Sequence, residues 1–436
     1  MEILSPGQKI KKIRQEFKIN QKDITGNKIT RELISIIEND KSALTPAVAE
    51  IITDNINRIC KDRNIDFHLD SEYLLEDVNF QTNKMANQYL EFLCVNEDNL
   101  SKDFSKDIEE IELFLIRYDV PEKKMIIYEK IADILKKQKD YSRSYTYYIK
   151  AFENHNHLFN DIKLFNLLQK LGNVCIYLQK YKESLDFNKL ALIYNDNVPE
   201  DLKFKVLFNT TLAYMNLKEY DKALIEIEHI LSTFKALTEE DTLSLNVLKV
   251  NCLRFKKFYS DAFNLNQSML DNIDSNDKGH IALITGNILD IYTVLKDISN
   301  IKIYIDKLLY LLKDYDNAKE SYYTANCYNQ LGISANLIGN KELAIDCYKK
   351  SIEIAKHQKD KSILKKSLDE LLTLLIKENN PIEINSCKNT ILELISLEII
   401  DTNSTAIFKL IDFYNEVNDK DSINSIIKFI LDLKEE

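Results

Sequence analysis

A few charged and polar side chains near the start of the chain have the chemistry needed to read the edges of DNA bases. Arg31 can donate two hydrogen bonds to a guanine, and Glu32 can accept one from the amino group of a cytosine. Ile36, four residues after Glu32, could contact the methyl group of a thymine. These side chains can act together only if they project from one helix lying in the major groove, so the neighbouring residues must form and hold that helix.

The residues around this group carry start signals for short helices. Ser5 is a good N-cap, Pro6 suits the first helical position, and Gln8 stands three residues after the cap. The same kind of start recurs at Thr45-Pro46. The first helix is predicted to place apolar residues on one face and basic residues beside it. The apolar residues are Ile10, Ile13 and Phe17, and the basic residues are Lys9, Lys11, Lys12 and Arg14.

Two more helices are predicted between these starts. Asn20 can cap a short second helix, Gln21 to Thr25, which a turn at Gly26-Asn27 follows. Thr30 can cap a third helix, and Asn39-Asp40 can end it because both residue types tolerate the left-handed backbone conformation. Helix, tight turn and helix in this order predict a unit that inserts its last helix into DNA.

The pattern resembles the Xre/Cro/phage-repressor class of helix-turn-helix domains, although the sequence has E-N-D-K where that class usually has E-N-G-K and the second turn is one residue shorter. The resemblance implies that Arg14 pairs with Glu38 and that Gln21 binds a phosphate. The matching residues are Arg14, Asn20-Gln21, Ile29-Thr30-Arg31, Ser35 and Ile37-Glu38-Asn39. We predict DNA contacts from Gln21, Lys28, Thr30, Arg31, Glu32, Ser35, Ile36 and Lys41. The alternative is that these helices only cap the segment that follows.

Composition sets limits on the rest of the chain. Its 436 residues are enough for more than one domain, and 7 Gly, 5 Pro and no Trp favour a mainly helical protein. With 45% hydrophobic and 29% charged residues the chain should be ordered. The net charge is −11, yet residues 1–41 hold nine Lys and Arg against six Asp and Glu. A basic start on an acidic body suits local DNA contact and disfavours general binding to polyanions.

Other sequence features exclude several function classes. The seven cysteines are scattered without a C-x-x-C, which predicts free thiols in a reducing compartment. The start of the chain lacks a signal peptide and no long apolar run is present, so we expect a cytoplasmic protein without a membrane partner. Nucleotide-binding glycine loops, nucleophile elbows and metal-ligand spacings are missing from the sequence. We therefore predict no cofactor, no metal site and no enzymatic activity.

The body of the chain is a repeat of roughly 40 residues. Each unit contains two amphipathic helices, and a mostly small or apolar residue of the first helix recurs at spacings of 40, 39, 39, 39, 43, 40 and 39. The recurring residues are Ala132, Gly172, Thr211, Val250, Leu289, Gly332, Leu372 and Ile411. The motif L-G…Y-x-x-A/S, best kept at 171–184 and 331–344, resembles the tetratricopeptide repeat.

These observations predict an all-α protein in which an N-terminal helix-turn-helix domain precedes a right-handed α-solenoid like that of tetratricopeptide repeats. We expect the DNA-binding domain over 1–66, a linker over 67–83, and eight or nine helical hairpins over 84–436. Residues 84–118 would be a degenerate first unit. One hairpin cannot bury its own apolar face, so stacked hairpins must share a core.

A ligand of such a solenoid would bind along the first helices of the pairs. Asparagine is a poor residue for a helix interior, yet it recurs on this predicted face, where an amide can pair with the backbone of an extended peptide. Asp290 and Asn326 share the face. The predicted peptide-binding residues are Asn166, Gln169, Asn173, Phe208, Asn209, Asn251, Arg254, Asn287, Asn329 and Asn336. The alternative is a solvated surface, because asparagine is common throughout the chain.

An Xre-type head on a long repeat body resembles the peptide-sensing regulators of Gram-positive bacteria (the Rgg, Rap, NprR, PlcR and PrgX family). The resemblance implies a homodimeric transcription factor that binds an operator in double-stranded DNA and a short signalling peptide, as in quorum sensing. Two alternatives stay open. The repeats could hold a partner protein, or they could serve only the dimerisation of a peptide-independent repressor.

Overall fold

The computed structural model describes residues 2–97, 104–154, 161–194, 197–313, 323–397 and 399–435. Within these ranges every regular element is an α-helix, and 22 helices are present. The predicted all-α class is therefore confirmed. The chain forms two compact units, residues 1–206 and 207–436. Among the residues described, no helix combines the length and the apolar character needed to cross a membrane.

The first unit begins with a small head of four helices. They are α1 (Pro6–Glu16), α2 (Arg31–Glu38), α3 (Pro46–Asp62) and α4 (Ser71–Leu75). Ser5 and Gln8 form the predicted capping box at the start of α1. Thr30 caps α2, whose end is followed by Asp40 in the left-handed region at φ 56°. The predicted start signals of α1 and α2 and the predicted end of α2 are thus confirmed, and the head has a core of isoleucines and leucines from all four helices.

The remaining helices form the repeat body. The first unit continues with α5 (Val78–Val95), α6 (Phe104–Arg117), α7 (Pro121–Lys137), α8 (Tyr141–Glu153), α9 (Asp161–Tyr177) and α10 (Tyr181–Ile193), and α11 (Glu200–Asn216) runs through the boundary between the units. The second unit contains α12 (Tyr220–Thr233), α13 (Glu239–Phe255), α14 (Tyr259–Asn272), α15 (Lys278–Leu295), α16 (Ile298–Lys313), α17 (Thr324–Leu337), α18 (Lys341–Gln358), α19 (Lys361–Lys377), α20 (Pro381–Ser396), α21 (Thr405–Glu416) and α22 (Lys420–Glu435).

The predicted second helix, Gln21 to Thr25, does not form. The backbone runs through consecutive turns there, in which Asp23 N donates to Asn20 O at 3.0 Å and Thr25 N donates to Lys22 O at 3.4 Å. Gly26 and Asn27 follow in the left-handed region at φ 58° and 55°. Two consecutive residues in the left-handed region cannot continue a right-handed helix, so the turns are not extended into one. The head therefore reaches α2, the predicted recognition helix, through turns alone.

The residues predicted to form a linker, 67–83, pack closely against the head. Leu69 and Leu74 are buried in its core, and α4 begins at Ser71. The Asn57 side chain exchanges hydrogen bonds of 2.7 and 2.9 Å with the backbone of Leu69. Leu69 and Leu74 bury apolar surface that would be exposed in a free linker, so this segment is held in a fixed position.

The same turn joins the two helices of each pair from α7 onward. One residue in each turn has a positive φ, between 51° and 81°, and the next backbone N–H donates to a carbonyl five residues earlier, for example Asn340 to Ala335 at 2.9 Å. This is the Schellman arrangement. The positive-φ residues are Lys139, Gln179, Lys218, Lys257, Lys296, Gly339, Asn379 and Asn418. Its recurrence gives eight pairs in the residues described, and each recurring residue of the sequence lies in the first helix of one pair.

Small residues allow the two helices of a pair to approach closely. Ser184 Oγ donates to the carbonyl of Gly172 at 2.8 Å, and Ser144 makes the equivalent bond to Ala132 at 2.8 Å. A Cβ on Gly332 would lie 2.6 Å from the ring of Tyr348. The recurring residue is therefore small wherever the second helix crosses at this distance.

An ion pair between Glu97, two residues after α5, and α7 should make stability depend on pH. Glu97 accepts hydrogen bonds from Lys130 and from Lys137, the latter at 2.9 Å, and these two lysines lower its pKa to about 2. A carboxylate with a depressed folded pKa stabilises the fold above its ordinary pKa of 4.5, and that contribution is lost as the pH falls towards 2. Glu97→Gln should lower the free energy of unfolding by up to about 1 kcal/mol at pH 7, since the pair is partly exposed.

Chemical denaturation of wild type and Glu97→Gln at several pH values tests this. The difference between the two proteins should shrink steadily between pH 4.5 and 2. A difference that stays constant across that range would contradict the assignment.

Candidate functional site

A buried ion pair connects the first and second helices of the head. Arg14 Nε donates to Glu38 Oε1 at 2.8 Å and Nη2 donates to Oε2 at 3.0 Å, which is a two-pronged contact. Arg14 Nη1 also donates to the carbonyl of Ile19 at 3.0 Å. The Glu38 side chain is only 2% exposed, and its hydrogen bonds raise the pKa of Arg14. The pair therefore fixes α2 against α1.

This network continues outward to the surface. Gln21 Nε2 donates to Glu38 Oε2 at 2.8 Å, and Arg31 Nε donates to Gln21 Oε1 at 3.4 Å. Gln21, predicted to bind a phosphate, thus has its amide between a buried carboxylate and an exposed guanidinium. Its amide can position Arg31, and one N–H of the amide is left over for an anion.

The outward face of α2 carries the predicted base-reading side chains. Arg31, Glu32 and Ile36 are exposed, and Ile36 keeps 42% of its surface, while Ser35 is half-buried. Lys28, Thr30 and Lys41 are exposed around this face. Thr30 Oγ1 accepts from Leu33 N at 3.2 Å, so its hydroxyl caps the helix. Ile34 and Ile37 bury the opposite face in the core of the head.

Several of the basic side chains predicted on the surface of α1 form contacts within the protein. Lys9 is fully buried, and its Nζ donates to the carbonyls of Tyr73 at 2.6 Å and Glu76 at 2.9 Å and lies 4.3 Å above the Tyr73 ring. Burial lowers the pKa of Lys9. Lys12 pairs with Glu2 at 2.6 Å. The prediction of a basic surface on α1 was wrong for Lys9, because α4 covers it, whereas Arg14 makes the predicted pair with Glu38.

Lys9→Met should loosen the contact between α1 and α4. The ammonium satisfies two backbone carbonyls, so removing it should cost about 2 kcal/mol of the free energy of unfolding. Lys11→Met is a matched control, because Lys11 is an exposed lysine on the same helix. Thermal unfolding of the full chain should show a lower midpoint for Lys9→Met alone. Equal effects of the two substitutions would contradict this reading.

The second unit contains a cavity of about 290 Å³ between the first helices of four consecutive pairs, α13, α15, α17 and α19. Three predicted peptide-binding residues line it, Asn251, Arg254 and Asn287, together with Asp290 and Asn326. The other lining residues are Val247, Leu283, Gly286, Tyr323, Cys327, Gln330, Ile333 and Lys366. The cavity is thus polar on several sides and apolar at Leu283 and Ile333.

Two of the charged groups that line the cavity pair with each other, and the third has no ion-pair partner among the residues described. The Arg254 guanidinium forms an ion pair with Asp290. Lys366 forms no hydrogen bond or ion pair with any residue in the described part of the chain, and the crowded surroundings lower its pKa, with Asp290 opposing the shift. Asn287 Nδ2 is buried and has no hydrogen-bond partner. The cavity therefore contains a cation without an ion-pair partner in the described residues and an amide donor that is unsatisfied.

Other predicted peptide-binding residues lie elsewhere. Asn329 is fully buried and its Nδ2 donates to Ser367 Oγ at 2.9 Å, so it joins two neighbouring pairs and cannot contact a surface ligand. Asn209 and Gln169 are also buried, with 2% and 8% of their surface exposed. Their burial separates these three residues from the exposed surface on which the sequence analysis placed them. Asn166, Asn173, Phe208 and Asn336 are half-buried outside the cavity.

Lys366 is not among the residues predicted from the sequence, although its position within the repeat indicates the same face. It lies six residues before the recurring residue Leu372, as Asn326 lies six before Gly332 and Asn166 six before Gly172. The shared offset would have assigned Lys366 to the same face. The asparagines that define the predicted face do not include this position, because it is a lysine.

Comparison with known sequences identifies one repeat directly. The tetratricopeptide repeat family matches residues 325–358, which comprise α17 and α18. A search of curated proteins found no match.

Solved structures similar to the chain are helical-repeat proteins. A tetratricopeptide repeat protein from Parabacteroides merdae is 15% identical and covers 65% of this chain and 99% of its own, with a TM-score of 0.49. The apo form of the quorum sensor NprR from B. thuringiensis is 15% identical and covers 82% and 100%, with a TM-score of 0.47. Aspartyl phosphate phosphatase F from Bacillus subtilis is 13% identical and covers 92% and 96%, with a TM-score of 0.48.

Proposed function

We propose that this protein is a transcriptional regulator that binds double-stranded DNA through α2 and a short signalling peptide through its repeats. The observation that carries the proposal is the outward face of α2, where Arg31, Glu32 and Ile36 are exposed on a helix whose other face is buried. The network from Arg14 to Arg31 holds this helix in one orientation. A short, fixed helix with exposed polar ends suits readout in the major groove.

The DNA contacts should divide into two kinds. Arg31 and Glu32 offer hydrogen bonds to base edges, which specify sequence, whereas Lys28 and Lys41 offer charge to phosphates, which sets affinity and its dependence on salt. The regulator would act as a homodimer, so its operator would contain two half-sites separated by a whole number of helical turns.

The repeats are the part of the protein that would bind the signalling peptide. Asn251 and Asn287 bring side-chain amides to the cavity, and such amides can pair with the backbone of an extended peptide whatever its side chains. A bound peptide changes DNA binding only if it prefers one arrangement of the repeats over another. The peptide therefore regulates by differential affinity and needs no contact with the head.

A gel-shift assay on the promoter of the protein's own gene tests the proposal. The assay is run with and without a peptide encoded by a small neighbouring open reading frame, and the peptide should change the midpoint of binding. Arg31→Ala should weaken operator binding about 10- to 100-fold and relax sequence preference. Lys41→Ala should weaken binding to all sequences alike and reduce the salt dependence by about one phosphate contact.

Arg143→Ala provides a matched control, since Arg143 is an exposed arginine on α8 of the repeats. It should bind DNA as the wild type does. Wild-type affinity in Arg31→Ala would show that α2 does not read bases. Absence of any DNA shift would instead favour a repeat protein that binds a partner protein.

A further inference from the structure

We infer that the cavity between α13, α15, α17 and α19 binds a carboxylate of the peptide against the ammonium of Lys366. The inference deepens the proposed function and rests on it. It names the chemistry of the peptide that the repeats select, namely an acidic side chain or a free C-terminal carboxylate placed in this cavity.

The pairing of charges inside the cavity decides the sign of the ligand. Of the three ionic groups lining it, Arg254 and Asp290 neutralise each other in an ion pair. Lys366 is the third, and its ammonium has no hydrogen-bond or ion-pair partner in the described residues. A cationic ligand would have to displace Arg254 from Asp290, whereas an anionic ligand meets a cation that no other group holds. The cavity therefore favours an anion.

Desolvation strengthens this preference. Although Lys366 opens into the cavity, the atoms packed around it lower its pKa, and Arg254 adds to that effect while Asp290 and Glu370 oppose it. Lys366 is an exposed residue whose ammonium is partly desolvated by these neighbours, so an arriving carboxylate supplies a counter-charge where water solvates the ammonium less than in bulk. Hydrogen bonds to charged partners are also stronger than neutral ones.

A second donor lines the same cavity. Asn287 Nδ2 is buried and makes no hydrogen bond, which leaves an amide donor unsatisfied. A carboxylate has two oxygens that each accept more than one hydrogen bond. One anionic group therefore has enough acceptors for both the ammonium and the amide. The volume of about 290 Å³ is enough for one or two side chains of a peptide, with the rest of the ligand lying outside.

An array of short synthetic peptides can test the inference with the full chain. Each sequence is present in matched versions that carry Asp, Asn or Lys at one position and have a blocked C-terminus. Matched neutral sequences are present with a free carboxylate or a carboxamide at the C-terminus. Wild type should bind the preferred acidic version about 10- to 100-fold more tightly than its amide counterpart. The two sets distinguish a side-chain acid from a chain terminus.

Variants at Lys366 connect the preference to this residue. Lys366→Met should bring acidic and amide versions within about twofold of each other, and Lys366→Glu should shift the preference to the Lys versions. Lys365→Met is the matched control, because Lys365 lies on the same helix and pairs with Asp401 at 2.6 Å. Lys365→Met should keep the wild-type preference. Circular dichroism checks that all three variants stay folded.

The outcomes separate this inference from the proposed function. If wild type binds particular sequences but does not distinguish acid from amide, peptide binding stands and the role of Lys366 is refuted. If acidic preference persists in Lys366→Met, another group binds the carboxylate and the inference also fails. If no sequence is bound above background, both this inference and the proposed peptide binding are overturned.

Discussion

Arg14→Met should destabilise the head by about 3–5 kcal/mol, because it leaves the buried Glu38 carboxylate without its cation. Glu38 is 2% exposed and would keep only the hydrogen bond from Gln21. In hydrogen exchange on the full chain, amides of α1 and α2 should exchange roughly two to three orders of magnitude faster, since each 1.4 kcal/mol is a factor of ten. Amides of the second unit should be unaffected.

A double variant distinguishes the effect of an unpaired Glu38 carboxylate from the effect of the packing lost with the Arg14 side chain. Arg14→Met with Glu38→Leu removes both charges and fills the site with apolar groups, so it should recover much of the lost stability. If the amides of the double variant exchange as fast as those of Arg14→Met alone, the unpaired Glu38 carboxylate is not the cause of the lost stability. Loss of protection throughout the repeats would show that the head does not open separately.

The parts of the fold that follow from local chemistry were predictable from the sequence. The caps at Ser5 and Thr30 involve residues three positions apart, and the same residues make those contacts in the structure. The paired helices follow from an apolar pattern that recurs every 40 residues or so. Such signals lie within one turn or one repeat, so no knowledge of distant packing is needed.

The errors in the head arise from contacts between distant residues. Lys9 was assigned to a basic surface, but residues 64 and 67 positions later supply carbonyls that bury its ammonium. The segment Gln21 to Thr25 has helical caps in sequence, yet Gly26 fits so closely against Asn55 that a Cβ there would lie 2.4 Å from the amide nitrogen. Tertiary packing therefore selected turns over a weak local preference for helix.

Some residues that line the cavity were predictable from the sequence, but the contacts between them were not, for a related reason. Spacing assigned Asn251 and Asn287 to the correct face, because that face depends only on helical periodicity. Helical periodicity could not show that α19, the first helix of the following pair, covers Asn329 through Ser367. The ion pair of Arg254 with Asp290 was equally hidden, since it joins different repeats, and among the residues described it leaves Lys366 as the cavity's cation without an ion-pair partner.

Gly7→Ala should separate α1 from α2 and reduce operator binding. A Cβ on Gly7 would lie 1.9 Å from the carbonyl oxygen of Ile37, a backbone atom that cannot move unless α2 moves with it. We expect a loss of about 3 kcal/mol in the stability of the head, at the upper end of overpacking effects. Because α2 carries Arg31 and Glu32, its displacement should also weaken binding in the gel shift more than tenfold.

The same substitution at another helical glycine gives the control. A Cβ on Gly286 would lie 3.6 Å from Cys327 Sγ, an ordinary van der Waals distance. Gly286→Ala should therefore be neutral or stabilise the second unit by roughly 0.5–1 kcal/mol, because alanine favours a helix over glycine. Hydrogen exchange and DNA binding measured on both variants decide the matter. Wild-type protection of α2 in Gly7→Ala would show that α1 and α2 can adjust to the added methyl group, and that their close contact does not fix the reading helix.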